Sequence, residues 1–166
     1  MASERFPRKH REGILSAISV GFFFVLIGFI FIITPNLTDK IVNFFQDITF
    51  VNVARLPSNF YLPRPATIGA HVTVYSAVEQ FSLVWGVFLV AMLVIRFAAG
   101  SPTRKKAENL GDIVSWFGGA YLIQTWLIGE SKWFEYWALI LMLWGISLIV
   151  RAVFLAAAGA RGKSTS

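Results

Sequence analysis

Residues 71–99 limit the fold more than any other stretch. They are apolar for long enough to cross a bilayer, yet they hold Glu79 and Gln80 near one end and Arg96 near the other. A bilayer hydrocarbon core takes about 20 residues of helix. The uninterrupted apolar run 81–95 is too short for that alone, so the span must grow at one end. The direction of growth sets the depth of Glu79. A span starting near Ser76 leaves the carboxylate about 5 Å inside the boundary, and one starting at Val72 leaves it about 10 Å inside. A span running to Ala99, with the Arg96 head reaching back to water, makes Glu79 interfacial. The residues leave all three registers open.

Composition places this stretch in a membrane chain. The 166 residues are 56% hydrophobic and only 14% charged, with a mean hydropathy of +0.64, too apolar for an ordinary soluble domain. The expected fold is an all-α integral membrane protein, a single membrane domain over 1–166 built as a bundle of four transmembrane helices at about 13–34, 72–99, 110–128 and 133–157. The net charge of +6 does not point to nucleic acid, because the basic residues cluster beside apolar runs instead of along one polar face. With no cysteine, disulfides, thiolate metal sites and catalytic thiols are excluded.

A basic tail with Arg5, Arg8, Lys9 and Arg11 precedes the first run, which ends in Thr34-Pro35-Asn36. That run is longer than a signal-peptide core and lacks a small-residue cleavage site, so it reads as an uncleaved span stopped by Pro35. Residues 36–70 form an extracytoplasmic loop. In it Ile41, Phe44, Phe45 and Ile48 recur at helical spacing, giving a short amphipathic helix with Thr38 as its N-cap. Such a helix lies on the membrane surface or caps the bundle. The β-branched run 48–53 suggests a short strand, whereas Pro57, Pro63 and Pro65 argue against regular structure beyond it. Asn36-Leu37-Thr38 matches the glycosylation pattern, a three-residue match common by chance. A cytoplasmic loop, 100–109, holds Arg104-Lys105-Lys106. The fourth span opens on Trp133, Phe134, Tyr136 and Trp137, an aromatic belt at headgroup level.

Eleven Lys and Arg fall on the side of the tail, the 100–109 loop and the C-terminal region. Four (Lys40, Arg55, Arg64 and Lys132) fall on the other. Both termini are therefore expected in the cytoplasm, with the protein in the plasma membrane.

Two sets of residues are candidates for function or packing. Small residues recur every seven at Ala138, Gly145, Ala152 and Gly159, with Gly21 and Gly28 in the first span, as helices that approach closely require. Tyr75, Glu79, Ser82 and Gly86 share one sector of the second span, and Asp112, Ser115 and Gly119 one sector of the third, so the two stripes are expected to face each other. Glu79 and Asp112 then sit toward opposite ends of neighbouring spans, which disfavours a carboxylate dyad. Arg96, Asp112 and Arg151 gather at the cytoplasmic helix ends, where pairing explains them at least as well as function does. The two histidines, His10 and His71, lie on opposite sides, so bis-histidine haem or a His-rich zinc site within one chain is excluded, and His71 reads as interfacial. No phosphate loop, nucleophile elbow or zinc helix motif appears, and no cofactor is expected.

The function expected from these residues is non-enzymatic: a structural or accessory subunit acting by helix packing. Its partners are the lipid bilayer and either a second copy or another membrane protein, with no nucleic acid. The alternative is a proton or small-cation conduit using Glu79. An enzyme acting on lipid at the outer interface has only the aromatic loop in its favour.

Overall fold

The computed structural model describes residues 8–52 and 60–163, and side chains from Glu12 to Ala160 within them. The side chains of the basic tail, Arg55, Pro57, Arg161 and Lys163 lie outside that description. The fold is mostly helical: α1 (Arg8–Ile33), α2 (Leu37–Gln46), α3 (Val72–Ala98), α4 (Thr103–Leu122) and α5 (Trp133–Lys163). Two strands, β1 (Ile48–Asn52) and β2 (Tyr61–Pro65), follow α2, and a 3-10 turn, Ile68–His71, leads into α3. A π-helical segment, Ile123–Gly129, extends α4. Three helical stretches are long and apolar enough to cross a membrane: Glu12–Ile33, Ile68–Ala98 and Trp133–Ala160.

Consecutive long helices pack side by side, α1 on α3, α3 on α4 and α4 on α5, with the π segment between α3 and α5. Aromatic rings join α1 to α3. Phe22 stacks on Phe88 at 4.2 Å, and Phe23 meets Trp85 edge-on at 5.3 Å. The contact face of α1 is the Phe22, Leu26, Ile30 row. Gly21 and Gly28 lie off that row and have nothing within 4 Å of where a Cβ would stand. The α4-facing row of α5 is Tyr136, Ile140, Leu143, Ser147 and Arg151, spaced three or four apart. Ala138 and Gly145 fall two residues further along, about 200° around the helix, and both are exposed, as is Ala152. The heptad row is therefore not a seam inside this chain. Other glycines serve the internal crossings: a Cβ on Gly86 would stand 3.1 Å from the Phe117 ring, and one on Gly118 would stand 2.5 Å from Leu143.

The turn joining α3 to α4 is shorter than the 100–109 loop read from the sequence. Gly100, with φ of 66°, takes the left-handed position that favours glycine. Its N–H bonds to the Phe97 carbonyl at 3.2 Å and that of Ser101 to Arg96 at 3.0 Å, closing a Schellman cap. The basic run is thus the first turn of α4, where the helix dipole disfavours cations. Glu108 offsets this by accepting bonds from Lys105 at 2.8 Å and Arg104 at 3.0 Å. These cations, Lys105 first, hold its carboxyl below the usual range.

Two further local expectations change. Helix α2 starts at Leu37 after Asn36, which has φ of 54° and makes no side-chain cap bond, so Thr38 lies inside the helix and does not cap it. The prolines do not prevent a strand: β2 contains Pro63 and Pro65, opposite Phe50 and Ile48 of β1. Two residues apart in a two-stranded ribbon, both prolines direct the position of the missing N–H to the same outer side. In keeping with that direction, the Pro63 carbonyl accepts the Trp133 indole N–H at 3.0 Å.

Candidate functional site

Polar side chains gather where α3, α4 and α5 meet. Asn109 is buried and donates through Nδ2 to the Leu89 carbonyl at 2.9 Å, and Ser147 donates to the Gly111 carbonyl at 2.8 Å. Inter-helix bonds of this kind contribute about 0.6 kcal/mol each on average in a membrane. Gly111 has no room for a Cβ, because the Arg151 side chain crosses over it. That crossing brings Arg151 Nη2 to Asp112 Oδ1 at 2.5 Å, with the two side chains 30% and 45% exposed. The Arg151 Nε is buried with no acceptor among the described residues.

Arg96 goes elsewhere. Its Nη1 lies 3.2 Å from Glu12 Oε2 at the start of α1, tying the first helix to the third at this end. Glu12 sits among basic tail residues that read as a topology signal, so nothing in sequence spacing links it to a residue 84 positions away.

Between the Asp112–Arg151 pair and the start of α5 runs a lateral groove of about 500 Å³. Ser82, Ser115, Gly119 and Ser147 line it along with the ion pair, and Tyr136, Trp137 and Trp144 form its α5 side. From Tyr136 to Arg151 it follows α5 for about 22 Å at helical rise. Gly119 has nothing within 4 Å of a would-be Cβ, so its backbone is open to the groove.

Glu79 is half-buried on α3, and Gln80 is exposed. With its amide nitrogen turned toward the carboxylate, Gln124 lies 3.1 and 3.3 Å from the two Glu79 oxygens. The polar residues that share its sector of α3 do not bond to it: Ser82 donates to the Val78 carbonyl at 2.7 Å, and the buried Tyr75 hydroxyl has no partner among the described residues. Gln124 is the second residue of the π segment, whose wider turn sets side-chain directions that an α-helical projection of the sequence does not give.

His71 is buried within the fold. Its Nε2 lies 2.8 Å from Asp47 Oδ2, which also accepts the Thr67 N–H at 2.9 Å. The Phe44 ring meets the imidazole edge-on at 5.2 Å. The Thr67 N–H and then His71 hold the Asp47 carboxyl below its usual range. This junction fastens the end of α2 and the hairpin to the start of α3. Among the described residues, no three His, Asp or Glu come together as a metal site. The chain matches no protein-family model, no curated protein and no solved structure.

Proposed function

We propose that the protein is a non-enzymatic multi-pass membrane subunit that acts by packing its helices against a second copy or a membrane-complex partner. The observation behind this reading is the groove between α3, α4 and α5. Its wall at Gly119, Ser115 and Ser82 is made of small residues, it runs about 22 Å along the helices, and hydroxyls and an ion pair are distributed along it. Partner helices in membranes seat on small residues and exchange hydrogen bonds with hydroxyls. The outward positions of Gly21, Gly28, Ala138, Gly145 and Ala152, unused inside the chain, offer further surfaces of the same kind.

The reading includes four spans. Helix α4 is too polar to pass as an apolar span by itself, but it runs between α3 and α5 and joins both through short turns. If its neighbours cross the bilayer, α4 with its π segment crosses between them. The charge asymmetry supports cytoplasmic termini, and with them an extracytoplasmic α2 and hairpin in a plasma-membrane protein. The Asp47–His71 bond then holds the start of α3 at the outer interface and sets Glu79 about 10 Å inward.

A size measurement on the full chain in nanodiscs or mild detergent tests the packing role. Wild type is expected as a defined assembly, and filling the groove with Ser115→Leu and Gly119→Leu is expected to release monomers that keep their helicity. A monomeric wild type, or an assembly indifferent to the filled groove, would falsify it. One observation favours conduction as a second reading: Glu79 has a neutral amide as its partner and no Lys or Arg paired with it among the described residues.

A further inference from the structure

A second cavity lies at the opposite end from the Asp112–Arg151 and Glu12–Arg96 pairs, beneath the hairpin. Its volume is about 470 Å³, within the range of small-molecule sites. Phe44 and Phe45 of α2 form one wall, the start of α5 with Trp133, Phe134 and Trp137 forms another, and the hairpin covers it. The cover is tied down, since the Trp133 indole donates to the Pro63 carbonyl on β2 and the Phe44 and Trp133 rings stand 6.1 Å apart. Arg64 is the single charged residue in the lining. It has no carboxylate within ion-pair distance among the described residues, and its Nε is buried without an acceptor there. The other cation and the acids nearby are engaged or turned outward: Lys132 pairs with Glu130, Asp47 with His71, and Glu135 is exposed.

We propose that this cavity binds one anionic glycerophospholipid of the leaflet on the hairpin side, an acyl chain entering between the aromatic walls and the phosphate meeting Arg64. Three physical points converge on that occupant. An acyl chain passes from the leaflet into such walls at no desolvation cost, because the lining is as apolar as the hydrocarbon it leaves, whereas a polar solute would lose its hydrogen bonds there, so an acyl chain fits the lining where a polar solute does not. Trp and Tyr rings sit at headgroup depth, which places the cavity mouth beside lipid phosphates. A guanidinium with no protein carboxylate is matched by a phosphodiester, whose oxygens accept its forked N–H groups. The site rests on the membrane placement of α3 and α5 and is independent of the packing role.

The full chain is reconstituted in phosphatidylcholine nanodiscs containing a minor fraction of phosphatidylglycerol with a photoactivatable acyl chain. Adducts are then mapped by mass spectrometry. They are expected to concentrate on Phe45 and on 133–137, with Arg64→Gln lowering capture about tenfold, as loss of one charged hydrogen-bonding partner does. A photoactivatable phosphatidylcholine is expected to label the same residues more weakly. Excess inorganic phosphate is expected to leave capture unchanged. Should Arg64→Gln fail to fold, Phe45→Ala removes a ring that is 65% exposed, and is expected to lower capture while leaving helicity intact. Adducts spread evenly over the outer faces of α1 and α5, capture indifferent to both variants, or displacement by free phosphate would each overturn the proposal.

Discussion

Helices α4 and α5 are neighbours, yet they invert the usual relation between polarity and burial. Every residue from Lys106 to Ala120 of α4 is buried or half-buried as a whole, although this stretch holds Glu108, Asn109, Asp112 and Ser115. The apolar stretch of α5 is far more hydrophobic, and only 6% of it is buried. In water that arrangement would be unstable. In lipid it follows from the solvent: hydrocarbon is as apolar as leucine, so apolar surface gains little by turning inward, whereas a polar group exposed to lipid costs more than one paired in the protein. Of these two helices the sheltered one is accordingly the more polar.

The largest expected effect separates the two helices by their glycines. Gly118 faces Leu143 with no room for a Cβ, and Gly145 has nothing within 4 Å. Gly118→Val is expected to destabilise by ~2 kcal/mol through overpacking, and Gly145→Val by less than ~0.5. Unfolding in bicelles measures both, and Leu143→Ala is expected to relieve the first. Equal costs at the two positions would remove the distinction between inner and outer faces within one protomer.

The same contrast accounts for how much could be read from the sequence. The long apolar runs and the short helix in 36–70 follow from composition and spacing, because both depend only on local residues. The division of α5 into an inner and an outer face does not, since Ser147 and Gly145 look equally suited to a helix contact until α4 is in place. Pairings across the fold were the least legible. Asp112 with Arg151 was one of two options open from charge and helix ends, while Arg96 with Glu12 and Asp47 with His71 join residues whose neighbours hide them among tail charges and loop. The Glu79–Gln124 contact depended on a π turn that no helical projection includes. The prolines of β2 argue against a strand by propensity, which does not say which edge of a ribbon is free.

A smaller effect is expected where the two helices exchange charge. Asp112→Leu leaves the Arg151 guanidinium without its carboxylate, and is expected to cost more than the double substitution Asp112→Leu with Arg151→Leu. Both side chains are partly open to the groove, so the coupling is expected at about 1 kcal/mol, not at the value for a sealed pair. A double-mutant cycle in bicelles reads it directly. Simple additivity would mean that each charge reaches separately toward headgroup water, and α4 would then not owe its shelter to this pair.

The smallest expected change in stability is at Glu79, where the comparison reaches function. If polar groups turn inward here only to be satisfied, the Glu79 carboxyl accepts from the Gln124 amide in a hydrogen bond that closes α3 on the π segment. Glu79→Gln keeps the size of the side chain and its ability to accept from an amide, so folding is expected to stay within about 0.5 kcal/mol of wild type. Assembly and helicity should be unchanged as well. A conduit makes a different demand, because a proton or cation must bind the carboxylate and leave it, and the amide that replaces the carboxylate in Glu79→Gln can do neither. Flux measured in liposomes with wild type and Glu79→Gln, each checked for insertion, separates the two. The packing role expects no specific proton or cation flux from either protein. Flux through wild type that disappears in the variant, with folding intact, would instead make the Glu79–Gln124 contact a gate and α4 the wall of a pathway.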